Sequence, residues 1–123
     1  MRRFREPIFA GLFLLYLLVF VGGFLWMTHY TSGPVTSKRI DVMVTEAGRS
    51  MSPSTWTAHQ NDFVIINITS DADGEVHLHG YDIKWELVLD SRWTKSFVAD
   101  KTGDFPIEWE TTGTRLGDFK VSP

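Results

Sequence analysis

Apolar and polar residues alternate along much of the chain, most clearly between residues 81 and 89. Apolar or aromatic side chains there occupy every second position, and charged Asp82, Lys84 and Glu86 fall between them. A second alternation covers residues 105–109. A period of two places successive side chains on opposite faces of a β-strand. Both segments therefore predict strands with one buried face.

Further apolar runs at residues 40–45, 97–99 and 116–121 also predict short strands. The β-branched run at residues 63–69 predicts a central strand buried on both faces. Turn-forming residues separate these runs, at 48–53, 61–62, 71–74, 90–91, 100–103 and 111–113. About seven short strands at this spacing, with no helical period after residue 30, predict an antiparallel β-sandwich or barrel.

The N-terminal segment follows a different pattern. Residues 8–27 are 20 consecutive uncharged and mostly apolar residues, preceded by Arg2, Arg3 and Arg5. A helix of that length spans roughly 30 Å, the thickness of the hydrocarbon core of a bilayer. The positive-inside rule then places residues 1–7 in the cytoplasm and the rest of the chain outside it.

A cleaved signal peptide is the alternative for this segment. Its apolar region would be about 7–15 residues long and would end in small residues, and residues 25–29 offer no such site. We therefore expect a signal anchor (one transmembrane α-helix) over residues 8–28 in the inner or plasma membrane, in contact with the lipid bilayer. A tether over residues 29–38 would then lead to an extracytoplasmic, periplasmic domain over residues 39–123.

Composition excludes several classes of protein. The 123 residues include 12 Lys+Arg and 15 Asp+Glu, for a net charge of −3, and no cysteine. A mildly acidic chain lacks the basic surface that nucleic-acid binding needs. Without cysteine there is no disulfide, thiolate zinc site, iron–sulfur cluster or cysteine nucleophile.

The segment that most strongly suggests a functional site contains His77 and His79. Two histidines two residues apart on a strand point to the same face, as half of a transition-metal site would require. An incidental surface pair, or one buried histidine held by a backbone hydrogen bond, would leave the same spacing. The serines and histidines form no nucleophile–base–orienter set, so we expect a protein that is not an enzyme.

The order of these motifs resembles the cupredoxin family over residues 40–123. Residues 52–67 and the segment His79-Gly-Tyr-Asp-Ile look like its first half, in which a hydrophobic strand ending at Asn precedes the first copper-binding histidine. Residues 97–109 and 116–121 are similar to its last two strands. The resemblance implies an all-β, antiparallel Greek-key sandwich, and of the family's copper ligands it carries over His79 alone.

The chain departs from that family where the remaining copper ligands should be. A type 1 copper site needs a cysteine, a second histidine and usually a methionine on the loop between the last two strands. In this comparison Trp109 falls at the cysteine position and Arg115 near the methionine position, and residues 108–117 contain no histidine. The binuclear copper centre of cytochrome oxidase subunit II, which needs two cysteines, is excluded too.

Two interpretations of the histidines follow. In the first, copper or zinc is bound at a remodelled site by His77 and His79, with help from Glu110, Glu108, His59 or Met51. Strand parity turns both glutamates away from Trp109, so only a strand end or bulge at Glu110 would turn a carboxylate inward. In the second, Trp109 fills the space left by the metal, and His79 is hydrogen-bonded at the rim.

These interpretations predict different functions. A bound metal indicates a membrane-anchored module that holds or passes copper outside the membrane. An empty copper loop, an all-apolar anchor and 14% aromatic residues instead favour a structural accessory subunit of a larger membrane complex, respiratory or electron-transferring.

Overall fold

The structure, a computed structural model, describes residues 36–123, and the predicted anchor at residues 8–28 lies outside them. The described residues form nine strands: β1 (Ser37–Thr45), β2 (Ser50–Ser52), β3 (Thr55–His59), β4 (Phe63–Ser70), β5 (Gly74–Leu78), β6 (Ile83–Leu87), β7 (Trp93–Val98), β8 (Gly103–Trp109) and β9 (Thr114–Ser122). β1 thus includes the last two residues of the predicted tether. Residues 36–123 include no helix long and apolar enough to cross a membrane.

The strands form two sheets, with a four-stranded order β2-β1-β4-β7 and a five-stranded order β3-β9-β8-β5-β6. The predicted all-β fold is confirmed, but the sheets are not purely antiparallel, because β1 pairs with β4 and β3 pairs with β9 in parallel. The chain leaves the first sheet after β2 and returns as β4, which brings β4 beside β1 in the same direction. Alternation of residue types does not encode strand direction, so the sequence pattern missed both parallel pairs.

Side chains from the inner faces of both sheets form the core. The large side chains buried most completely are Trp56, Trp85, Trp109, Phe119, Ile66, Ile68, Leu78 and Ile107. The rings of Trp56 and Trp85 pack edge to face, with centroids 6.0 Å apart, a preferred geometry for aromatic pairs. The alternation at residues 105–109 is confirmed, since Ile107 and Trp109 are buried while Glu108 is not.

The β-branched run forms β4, which is a central strand of its sheet as predicted. Apolar side chains cover one of its faces, but the other face includes polar groups. Val64, Ile66 and Ile68 are fully buried. On the other face Asn67 donates its amide to Asp41 (2.7 Å) and accepts from the Thr94 hydroxyl (2.6 Å). These hydrogen bonds satisfy a buried amide whose isolation from water would otherwise be costly.

β6 is shorter than the alternation at residues 81–89 predicts. Asp82 and Asp90, on either side of it, have left-handed backbone φ angles of 53° and 60°, which regular strands do not contain. Leu89 therefore lies beyond the strand and is 50% exposed. Tyr81, before the strand, packs against Phe105 with ring centroids 4.9 Å apart.

Candidate metal centre

The pairing of β5 with β8 determines where the histidines lie. The two strands are antiparallel, with Val76 opposite Trp109 and His77 opposite Glu108. Val76 and Trp109 are buried in the core. Because side chains alternate along each strand, His77 and Glu108 both lie on the outer face of the five-stranded sheet.

Four side chains meet on this outer face. The rings of His77 and His79 have centroids 4.1 Å apart. His79 Nε2 lies 3.1 Å from Glu108 Oε2 and 4.0 Å from Glu110 Oε1. His77 Nδ1 is hydrogen-bonded to Glu110 Oε1. One donor atom from each of His77, His79 and Glu110 lies within 4.8 Å of the other two. We call His77, His79, Glu108 and Glu110 the outer-face cluster.

The end of β8 holds both glutamates on this side. Glu108 is the last outward-facing residue of the strand, which ends at Trp109. Glu110 follows at the start of a turn, and its backbone amide donates to the Glu75 carbonyl (2.9 Å). This bond keeps the chain beside β5 for one more residue, so Glu110 reaches His77.

The expectation that a carboxylate must turn inward to join the histidines is therefore wrong. Strand parity did predict that Glu108 and Glu110 face away from Trp109. The difference concerns His79. The resemblance makes His79 and the residue at the Trp109 position ligands of one copper ion, which implies that both side chains point to the same side. The contact of His79 with Glu108 places His79 on the outer face instead. Strand parity therefore puts the two imidazoles and the two carboxylates on the same face of the sheet.

The charges of the cluster favour a cation. Within residues 36–123, the ion-pair partners of Glu108 and Glu110 are histidines alone. Glu75 nearby is paired with Lys84 (3.5 Å) and Asp118 with Arg115. With neutral imidazoles, the cluster carries two negative charges. Lys84 and Arg115 are the cross-strand neighbours of His77 and Glu108, but within residues 36–123 they form their ion pairs with Glu75 and Asp118 instead. Such a concentration of like charge raises the local concentration of cations.

His77 makes one further contact, with a residue that the sequence pattern had not marked as a site residue. Its Nε2 lies 3.0 Å from Asp82 Oδ1, and the Asp82 side chain is 86% exposed while that of His77 is 13% exposed. The available sequence signal was a carboxylate three residues after His79, the second histidine of the His-x-His pair. The sequence pattern does not single it out, because Asp82 also fits the polar face of an alternating strand.

The two other predicted ligands lie elsewhere. His59 ends β3, its side chain is 76% exposed, and its Nδ1 lies 3.9 Å from Asp62. Met51 is buried as part of the hydrophobic core. Neither residue belongs to the group whose donor atoms converge. Met51 has the environment of a core side chain that fills an irregular gap.

Trp109 stands where the resemblance places the copper-binding cysteine, and its side chain is packed in the core. The buried indole of Trp109 lies against Gly48 and Gly74, and a Cβ atom added to either glycine would overlap the ring. An indole offers a hydrogen-bond donor but no metal-ligating lone pair. The residues of this inner region therefore do not fit a type 1 copper ion. The outer-face cluster does fit a divalent ion, because imidazole and carboxylate ligands suit Cu(II) and Zn(II).

No protein-family model matches this chain, and no curated protein sequence matches it. Solved structures do. A copper binding protein in the apo form is 12% identical, with a TM-score of 0.58, over 70% of this chain and 88% of that chain. The metal binding domain of the Cu(I)-exporting P-type ATPase CopA of Streptococcus pneumoniae D39, with Cu(I), is 13% identical, with a TM-score of 0.60, over 71% and 87%.

A third match is to a chain of a heme-copper terminal oxidase dimer. It is 14% identical, with a TM-score of 0.58, and covers 95% of this chain and 100% of that chain. At these identities the comparisons show the fold alone. Residues 36–123 have a cupredoxin-like fold, as the resemblance implied.

Proposed function

We propose that this cupredoxin-like chain is a membrane-anchored, extracytoplasmic module that binds Cu(II) or Zn(II) at the outer-face cluster. The observation that carries the proposal is the convergence of His77, His79 and Glu110, whose donor atoms lie within 4.8 Å of one another. Glu108 adds a carboxylate oxygen 3.1 Å from His79 Nε2. Two ring nitrogens and two carboxylate oxygens complete a four-donor set.

The chemistry of this set selects the class of ion. Zn(II) accepts two imidazoles with carboxylates in tetrahedral geometry, and Cu(II) accepts nitrogen and oxygen donors in tetragonal geometry. Cu(I) prefers sulfur ligands, and the thioether of Met51 is buried in the core. In this arrangement the imidazoles supply neutral lone pairs, while the glutamates offset the charge of the ion.

The location is part of the same proposal. The uncharged run at residues 8–28 and the arginines before it support an anchor whose C-terminal domain lies outside the cytoplasm. The cluster is only partly buried, with side-chain exposures of 13% for His77 and 37% for His79. An ion held there can exchange with a partner, which suits metal handling better than catalysis in a closed pocket.

Metal titration of the full-length chain in detergent micelles tests the proposal. We expect a single Zn(II) or Cu(II) ion to bind per chain by calorimetry. His79→Ala should weaken binding at least about 100-fold, the upper end of what loss of an outer-shell partner costs. His59→Ala is the matched control, since its exposed ring lies outside the cluster. Equal affinities for wild type and His79→Ala would refute the site.

A second function is favoured by a different observation. The chain from the terminal oxidase dimer is matched over its whole length by 95% of this chain, whereas the two copper-protein matches cover 70% and 71% of it. This supports an accessory subunit of a larger membrane complex, in which the domain covers part of the partner's exposed surface. Extraction in a mild detergent should then yield this chain in a larger complex on a native gel. Migration as a free monomer would contradict that function.

A further inference from the structure

Asp82 lies beside the outer-face cluster but is not among its converging donors. Its Oδ1 is 3.0 Å from His77 Nε2, on the nitrogen that does not face Glu110. At 86% exposure, its side chain contributes little to packing. The contact with His77 is its one hydrogen bond within residues 36–123 that involves the side chain.

The backbone at Asp82 gives a second, independent observation. Its φ angle is 53°, in the left-handed region. Glycine adopts this conformation without the steric cost that a Cβ atom brings. The backbone turn alone would therefore be made more easily by glycine. Aspartate tolerates this region better than most residues, and Asp90 at the other end of β6 adopts it too. The conformation therefore ends the strand and leaves the carboxylate of Asp82 beside His77.

We propose that Asp82 is a positioning residue that selects which nitrogen of His77 binds the metal ion. A neutral imidazole carries hydrogen on one nitrogen and a lone pair on the other. Without an ion, the Glu110 carboxylate accepts a hydrogen bond from Nδ1. An ion bound at Nδ1 takes the place of that hydrogen, and Asp82 then accepts the hydrogen that stays on Nε2. Histidines that bind metals commonly donate their other N–H to a carboxylate in this way. The inference rests on the proposed metal site.

The geometry opposes a direct bond from Asp82 to the ion. The nitrogen atoms of an imidazole point to different sides of the ring. Glu110 Oε1 is hydrogen-bonded to Nδ1 of His77, and His79 Nε2 is 4.0 Å from that same oxygen. An ion bound at Nε2 beside Asp82 would therefore lie on the side of the ring away from Glu110.

Long-range ¹⁵N–¹H NMR of the histidine rings, recorded on the full-length chain with and without Zn(II), tests the inference. With zinc we expect His77 to bind through Nδ1 and to keep its hydrogen on Nε2. Asp82→Ala should weaken zinc affinity by about 10–100-fold and mix the two tautomers. Asp82→Asn keeps an acceptor oxygen and should restore most of the affinity and the single tautomer.

Glu86→Ala is the matched control, because Glu86 is a carboxylate on the same sheet, opposite Glu75, that forms no hydrogen bond or ion pair with His77 or His79. It should leave both readouts unchanged, which separates hydrogen bonding from a general loss of negative charge. Zinc bound through Nε2 of His77, or wild-type affinity in Asp82→Ala, would overturn the role of Asp82 while leaving the metal site intact. Absence of zinc binding by the wild type would overturn the proposed function and, with it, this inference.

Discussion

Two regions of the domain meet at three consecutive residues at the end of β8. Trp109 points inward and packs against Gly48 and Gly74. Glu108 and Glu110, on either side of it, point outward to His77 of β5 and to His79, which follows that strand. The inner region is where resemblance places copper chemistry, yet it is filled by an indole. The outer region carries the imidazoles and the carboxylate whose donor atoms converge. In this domain, therefore, strand parity places the residues that stabilise the fold on the inner face and the candidate metal ligands on the outer face.

The two regions should respond differently to mutation. A fully buried aromatic side chain contributes several kcal/mol through apolar burial and close packing. Partly exposed charged pairs contribute about 0–1 kcal/mol, because water screens them. Changes at the inner region should therefore alter the free energy of unfolding, and changes in the outer-face cluster should alter metal affinity.

Trp109→Ala should produce the most severe loss of stability. Removing the indole leaves a cavity, and such truncations cost about 3–5 kcal/mol of unfolding free energy. Urea denaturation followed by circular dichroism measures the loss. Trp93→Ala is the control, because Trp93 is 43% exposed. Comparable losses for the two variants would mean that Trp109 is not the packing centre of the inner region.

Zinc should stabilise the wild type through the outer region. An ion that binds only the folded state adds about 2.7 kcal/mol when its concentration is 100 times Kd. The thermal midpoint should therefore rise with zinc for the wild type but not for a His77→Ala/His79→Ala variant. Without zinc, the two proteins should differ far less. A zinc-dependent rise that persists in the double variant would place the ion elsewhere.

Gly74→Ala should have a smaller effect than Trp109→Ala. The added methyl group would overlap the Trp109 ring, and overpacking of this kind costs about 1–3 kcal/mol. In a Trp109→Ala background the penalty should disappear, since the ring is gone. A double-mutant cycle in urea measures this coupling. An equal penalty in both backgrounds would show that the close approach to Trp109 is not its cause.

The smallest effect concerns Asp41, an outward carboxylate on the other sheet whose neighbours are permanent donors. The hydrogen bond from the Asn67 amide, aided by the nearby Arg92 guanidinium, lowers the pKa of Asp41 below its usual 3.8. This stabilisation is present above pH 3.8 and is lost as the pH falls through the lowered pKa. The stability difference between wild type and Asp41→Ala should therefore shrink on acidification. A difference that does not change with pH would contradict this account.

Much of the fold could be predicted because burial on one face leaves a period-two pattern. That pattern identified β8 and the centre of β6. It missed β2, a three-residue strand within a predicted turn, because so short a segment carries no measurable period. It also extended β6 to residue 89, because residue type does not reveal the left-handed φ angle at Asp90.

The candidate site was only half predictable. Spacing alone places His77 and His79 on one face, and parity alone turns Glu108 and Glu110 away from Trp109. Which histidine lies opposite which glutamate depends on the register between β5 and β8, a contact between segments about 30 residues apart. Single-strand patterns contain no information on that register, so the sequence could not show that both pairs share a face.

Anomalous diffraction from crystals of the zinc-loaded full-length chain is the most direct test that metal chemistry lies outside the core. The account predicts one zinc peak on the outer face of the five-stranded sheet, bonded to His77 Nδ1, His79 Nε2 and one carboxylate oxygen each from Glu108 and Glu110. A peak beside Gly48 and Gly74 with Trp109 displaced, or a fully occupied ion bound by neither histidine, would contradict it.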